Sequence, residues 1–213
     1  DGVALLEELD AVVADRDGDR RRLTKVGRQL VRLPIDPRLA RMVVEAQRQG
    51  CVREVLIIAA ALSIQDPRER PTDQEQAAAE AHGRFKVPGS DLLSLVRLWD
   101  HLSERRDTLS SSRFRRECRD GFLNYLRVRE WIDLHRQLAR AAATLDIKPS
   151  ETGNGGGHAH PDRVHKAILA GLLSHVGMLE RPDDKAQGRQ LNRGRGQSGQ
   201  RQSREYHGAR GSR

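Results

Sequence analysis

Residues 51–63 read CVREVLIIAAALS, apolar on nearly every helical face and broken only by Arg53, Glu54 and a terminal Ser63. Any surface orientation would leave an apolar face of such a helix in water, so other elements have to enclose it. The chain supplies them. Asp36 and Pro37 form a helix start, a capping side chain followed by proline at the first helical position, and Leu39, Met42, Val43 and Ala46 recur before Gly50 stops the run. Thr72 and Glu75 have capping-box spacing ahead of an alanine-rich helix to Ala81. Ser90 or Asp91 caps the next helix, in which Leu92, Leu95, Val96, Trp99 and Leu102 share a face. Residues 109–138 read as a serine-capped basic turn feeding one long amphipathic helix whose stripe is Val128, Trp131, Ile132, His135, Leu138, Ala142 and Leu145. Pro161 opens a short helix through Leu173. The spacing predicts a mainly α fold, a helical bundle over 36–175 around Ile57, Ile58, Leu95, Trp99, Trp131 and Leu138.

The flanks are less regular. Residues 1–13 put Val3, Leu6, Leu9, Val12 and Val13 on one helical face, and LTKVGRQLVRLPI offers two extended runs around Gly27, a hairpin carrying Lys25, Arg28 and Arg32. A helix followed by a basic wing suggests that 1–35 is the C-terminal part of a winged helix. The chain opens without a cap or a methionine and reads as a piece of something longer. Glycines over 150–161 predict a loop. Over 176–213, HVGMLE and REYHGARGSR could be strands, separated by an Arg, Gln and Gly-rich insert at 181–204 with seven Lys or Arg against Asp183 and Asp184, which is expected to be disordered. That insert is either an electrostatic tether for RNA or a tolerated loop.

Composition narrows the function. A net charge of +8 points to a polyanionic partner, RNA or DNA. With 3% aromatics the chain is poor in the stacking side chains that a sheet reading single-stranded bases needs. Cys51 and Cys118 lie far apart in helical patterns, which argues for a reducing cytoplasm rather than a disulfide framework. No apolar run approaches the roughly 18 residues a membrane span needs, so no membrane partner is expected. No Gly-x-x-x-x-Gly-Lys-Ser/Thr loop occurs, no catalytic constellation stands out, and no cofactor or metal is expected to bind these residues. Ala79-Glu80-Ala81-His82 spells one residue short of a helicase magnesium motif, but alanine replaces the leading carboxylate inside a helix, and coincidence explains it. His158, His160 and His165 lack further ligands at zinc spacing and read as solvated.

The chemistry that remains is anion binding. Ser110 to Ser112 precede Phe114, with Arg113, Arg115 and Arg116 in the same short stretch, so serine hydroxyls, helix-start N–H groups and guanidiniums could converge on phosphate oxygens. Arg113 and Arg116, three apart, make the preferred pair, and Arg115 is expected to turn toward Glu117. The alternative is a capped, solvated helix start.

The order of elements also resembles a known family. Leu23, Thr24, Gly27, Leu33, Pro34, Asp36, Pro37, Arg38, Leu39, Gly50 and Cys51 fit the pattern at the junction of winged-helix and ratchet-like helicase-associated domains in DEAH-box RNA helicases. SDLLSLVRLWDHL and LSSSRFRRECRDGFLNYLRVREW resemble the bacterial HrpA-type branch in particular, with Gly121 where the wider family has Asn, and Leu126 and His135 where it has Arg. The tail resembles the entry into the OB-fold of these helicases.

The resemblance implies a C-terminal fragment of an ATP- and magnesium-dependent helicase moving 3′ to 5′ on RNA, with first OB-fold strands that end before a sheet closes. Its own share would be gripping single-stranded RNA beside the RecA-like ATPase lobes of the same parent chain, as a monomer and without turnover alone. The candidate RNA-binding residues are then Ser111, Ser112, Arg113, Arg115, Arg116, Asn124 and Arg127. The competing reading is a helical protein-interaction scaffold that docks the ATPase lobes or a partner without touching RNA.

Overall fold

The computed structural model describes residues 2–15, 20–149 and 158–177. A short helix α1 (Gly2–Glu8) leads into strand β1 (Val12–Ala14), which pairs antiparallel with β2 (Arg21–Leu23), Val12 opposite Leu23. Helices follow: α2 (Lys25–Leu30), α3 (Pro37–Gln49), α4 (Val52–Leu62), α5 (Glu75–Gly83), α6 (Asp91–Thr108), α7 (Ser111–Asp120), α8 (Tyr125–Ala143) and α9 (Pro161–Leu169). The protein is mainly α. The described residues through Ser174 form one compact unit; a second begins at His175, and of it only 175–177 are described. Of the first predicted OB-fold strand, HVGMLE, only 175–177 are described, and there His175 ends a 3-10 turn (Leu173–His175) rather than opening a strand; the rest of it, REYHGARGSR and the basic insert at 181–204 lie outside the described residues, as does most of the loop predicted at 150–161.

Helix α4 is the axis of the bundle, packed against α3, α6, α8 and α9. Val52, Val55, Ile57, Ile58, Ala59 and Ala60 are all buried, as an all-round apolar helix requires. Its polar residue in the interior, Glu54, accepts from the Ala159 N–H at 3.2 Å, and Arg53 reaches the Asp100 carboxylate on α6. Trp131 of α8 is fully buried and donates its indole N–H to the Ile57 carbonyl at 3.0 Å, the partner a buried Trp needs. Trp99 of α6 closes the cluster edge-on to Trp131, ring centres 5.1 Å apart. The Asp36 carboxylate caps α3 by accepting from Arg38 N, Gly50 ends that helix at φ 68°, and Ser90 caps α6 by accepting from Leu93 N.

Four local expectations change. Residues 1–13 are not one helix: α1 stops at Glu8, Asp10 takes φ 55°, and Val12 and Val13 enter a strand, because Ala11 is drawn into the core and β2 lies alongside. The hairpin falls one segment earlier than predicted, and Lys25–Leu30 is a helix. Thr24 starts it, its hydroxyl accepting from Gly27 N at 2.9 Å and donating to Asp10 O at 2.6 Å. Gly27 is needed there for closeness, since a Cβ would lie 2.0 Å from the Ala11 carbonyl oxygen. Helix α5 begins without the Thr72–Glu75 capping box: Gln74 is its N-cap, with no side-chain bond. Finally, α9 ends at Leu169 rather than Leu173.

The histidines are not simply solvated. His158 Nε2 lies 3.3 Å from an Asp100 carboxylate oxygen, and His165 Nε2 lies 2.8 Å from the Ser90 hydroxyl, so both tie the 158–165 segment to α6. The His160 ring accepts from Asp162 N at the start of α9. Among the described residues no group of three or more His, Cys, Asp or Glu is placed to hold a metal. No helix there is long and apolar enough to cross a membrane.

Candidate nucleic-acid interface

The basic stretch is a helix in its own right. Leu109 and Ser110 are extended, α7 runs from Ser111 to Asp120, and the chain breaks over Gly121–Asn124 before α8 starts, so the single long helix expected over 109–138 is two. Ser110 is the N-cap residue of α7 but makes no side-chain cap bond; its hydroxyl lies 3.3 Å from that of Ser112.

The break is built from identifiable bonds. Phe122 takes φ 54°, unusual for a side chain with a Cβ, and its carbonyl accepts from Glu69 N at 2.8 Å and meets His82 Nε2 at 3.2 Å. Burial lowers His82 from the ordinary histidine value, and because a carbonyl oxygen can only accept, Nε2 is the ring nitrogen that donates to it. The segment before α5 is thus stitched to the turn, with Asn124 N donating to Pro67 O at 2.8 Å and Arg127 donating to Asp66 O at 3.1 Å.

Charge on α7 is sorted by one ion pair. Arg105 of α6 grips the Glu117 carboxylate with two bonds, at 2.7 and 2.8 Å, and holds that carboxyl below its ordinary value. Glu117 is therefore not available to Arg115, whose guanidinium instead lies 5.8 Å from the centre of the Tyr125 ring. Arg113, Arg115, Arg116 and Arg119 are all exposed, and among the described residues none has an acidic partner within 4.0 Å. Three of these arginines, Arg115, Arg116 and Arg119, line one groove of about 510 Å³ with Ser112, Asn124 and Tyr125. The carboxylate on its wall, Glu69, accepts from the Asn124 amide at 2.8 Å.

The structure therefore divides the seven sequence candidates. Ser112, Arg115, Arg116 and Asn124 share the groove; Ser111 faces a smaller cavity on the other side of Tyr125; Arg113 and Arg127 line neither. Of the preferred pair, Arg116 lies on this groove with Arg115 and Arg119, and Arg113 lies off it. Asn124 acts structurally, since its side-chain oxygen caps α8 by accepting from Leu126 N and Arg127 N while its amide serves Glu69. Sequence reasoning missed Arg119, Tyr125 and Glu69. Helical spacing held the signal for Arg119, which lies three and four residues beyond Arg116 and Arg115 and shares their face.

Comparison with known proteins adds the family. Residues 36–121, from the capped start of α3 to the end of α7, match the family described as helicase associated domain (HA2), ratchet-like. This part of the chain is a ratchet-like helicase-associated domain. Over 84% of its length the chain is 53% identical to the "ATP-dependent RNA helicase HrpA" of Escherichia coli, and over 84% it is 47% identical to the "ATP-dependent RNA helicase HrpA homolog" of Haemophilus influenzae. The chain thus carries HrpA-type DEAH-box helicase sequence, and it spans 14% of the length of each of these two relatives. In the ratchet-like domain the groove lies where the matched segment ends and α8 begins.

Proposed function

We propose that the ratchet-like domain is the part of an ATP-dependent RNA helicase that grips single-stranded RNA, with phosphates lying along the α7 groove. The observation that carries this reading is the alignment of Arg115, Arg116 and Arg119 on one open groove without acidic partners, while Glu117, one of the two α7 carboxylates, is taken up by Arg105. Guanidiniums held this way neutralise phosphates without reading bases. On this proposal ATP and magnesium are handled by RecA-like lobes of a longer, cytoplasmic, monomeric parent, 3′-to-5′ movement belongs to that parent, and residues 1–35 are the end of its winged helix.

The test is an equilibrium titration of the chain with poly-U and with mixed-sequence single strands over a range of salt. The Arg115→Ala, Arg116→Ala, Arg119→Ala triple variant should weaken both alike and flatten the log–log salt slope by about 0.7 per lost contact. Its thermal midpoint should be unchanged, because the three side chains are exposed. Binding equal to the parent chain's at physiological salt would remove the groove as the RNA site. The scaffold reading has one observation in its favour, Leu126 standing 71% exposed on the rim of the same groove. A partner docked on that leucine would bind with little salt dependence and would be lost on Leu126→Asp.

A further inference from the structure

Tyr125 separates two cavities. On one side is the arginine groove; on the other is a smaller cavity of about 200 Å³, with Phe114, Tyr125 and Ile132 among its apolar lining and Arg106, Arg129 and Arg136 among its charged lining. Phe114 and Ile132 are buried, and the Phe114 and Tyr125 rings meet edge-on with centres 6.2 Å apart, so this wall is fixed. Asp133 also lines the cavity, but it is held by Arg136 at 3.2 Å, and Arg106 is paired with Asp107. Arg129 is exposed, and among the described residues it has no acidic partner within 4.0 Å.

We infer that this cavity receives one nucleobase of the bound strand, stacked against Tyr125, while the phosphates on either side stay on the arginines. The inference rests on the RNA-gripping reading and assigns to one residue the part of the grip that does not depend on charge. Three features support it. The cavity is below the size that drug-like ligands occupy and suits a single planar ring system rather than a whole nucleotide with its phosphates. Its apolar wall shares the Tyr125 ring with the arginine groove, so a base placed against that ring keeps its flanking phosphates within reach of the groove arginines. The cations around it, Arg129 above all, can meet the sugar–phosphate at the mouth or the acceptors on a base edge. An aromatic face accepts any base, so the pocket adds affinity without sequence preference.

The experiment compares a short oligouridylate with a strand of the same length and charge whose sugars carry no bases, bound to the chain, to Tyr125→Leu and to Tyr125→Phe. Leucine keeps the apolar contact with Phe114 while removing the stacking face, and phenylalanine keeps both. The chain should prefer the uridylate by about tenfold, as expected for one stacked base. The preference should fall toward unity in Tyr125→Leu, persist in Tyr125→Phe, and leave the salt slope unchanged in both. A 2-aminopurine placed in the strand should be quenched by the chain and by Tyr125→Phe but not by Tyr125→Leu. Equal binding of the two strands by the chain, or a preference retained in Tyr125→Leu, overturns the base pocket while leaving the arginine groove in place. Failure of the chain to bind either strand, or a salt slope unmoved by the arginine triple variant, overturns the groove and the pocket with it.

Discussion

His135 sits against Trp99, ring centres 4.4 Å apart, with Arg53, Arg106 and Arg136 around it. Burial first, then those three cations, push its pKa down to about 4, so the folded protein holds a neutral ring. Between that value and the ordinary histidine value near 6.5 the unfolded chain takes up a proton that the folded chain refuses. Stability is therefore full above about pH 6.5 and drains as pH falls toward 4, by up to about 3 kcal/mol at ~1.4 kcal/mol per unit. His82 and His101 are also lowered, mainly by burial, and act in the same direction, whereas Asp66, Glu45 and Glu117, held below their ordinary values, contribute stability that is lost at lower pH. Urea midpoints at pH 7 and pH 5 should accordingly converge in His135→Leu relative to the parent; parallel losses would show that this ring is protonated in the fold. Trp131 gives a second residue-scale expectation. Fully buried and bonded to Ile57 O, it should cost about 3 to 5 kcal/mol on truncation to alanine. A loss under about 1 kcal/mol would mean that α8 does not face α4 as described.

At the scale of elements, the turn between α7 and α8 decides whether a site exists. Were 109–138 one straight helix, Ser112, Arg115, Arg116 and Arg119 would have no facing wall; the break at Gly121–Asn124 folds Asn124, Tyr125 and Leu126 back across them. Asn124 holds the break from both sides, capping α8 and binding Glu69, so Asn124→Ala should cost about 1 to 2 kcal/mol and, by loosening the groove wall, weaken the proposed RNA binding. Asn124→Ser keeps a cap acceptor and should recover part of the stability but not the Glu69 bond. If alanine costs only a few tenths of a kcal/mol, the loop around Glu69 is not what fixes the turn. This region also shows what a sequence does and does not reveal. The apolar run 51–63, the Asp36–Pro37 start, the Ser90 cap and the Trp131 stripe were readable, because each is a local pattern whose meaning does not depend on distant residues. The α7–α8 break is legible in part: Asp120–Gly121 followed by Asn124 is a stop signal and then a cap, but nothing local says that the basic stretch before it is a separate helix rather than a turn feeding α8. The pairing of Arg105 with Glu117 and the orientation of Arg115 over Tyr125 were not readable, since they follow from how α6 and α8 lie against α7. For the same reason the hairpin lies one segment earlier than the spacing predicts: Gly27 marks a close approach to Ala11 rather than a strand turn.

For the whole molecule, the proposed grip on RNA has two candidate carriers, the folded unit and the basic sequence from 181 to 204. The compact unit runs through Ser174 and contains the bundle, the groove and the Tyr125 cavity, with Leu9, Ala11, Leu30 and Leu33 in the same core as α4. Beyond it the sequence from 181 to 204 adds seven cations against two aspartates. Charge carried at such density attracts any polyanion, with steep salt dependence and no discrimination between strands with and without bases. The groove and cavity should discriminate, because stacking needs a base and a fixed ring. A chain ending at Gly177 should therefore unfold cooperatively, bind single-stranded RNA more weakly at low salt, and show a shallower salt slope than the full chain. Its preference for uridylate over the base-free strand should be as large or larger, since the competing non-selective contribution has been removed. Neither version should turn over ATP with or without RNA, because the sequence has no phosphate-cradling loop. If the shortened chain folds but loses both its affinity and its preference, the bundle is a scaffold and the basic segment is the RNA-binding element. If its affinity and salt slope match those of the full chain, the cations after Arg181 take no part, and the arginines of α7 carry the electrostatic grip by themselves.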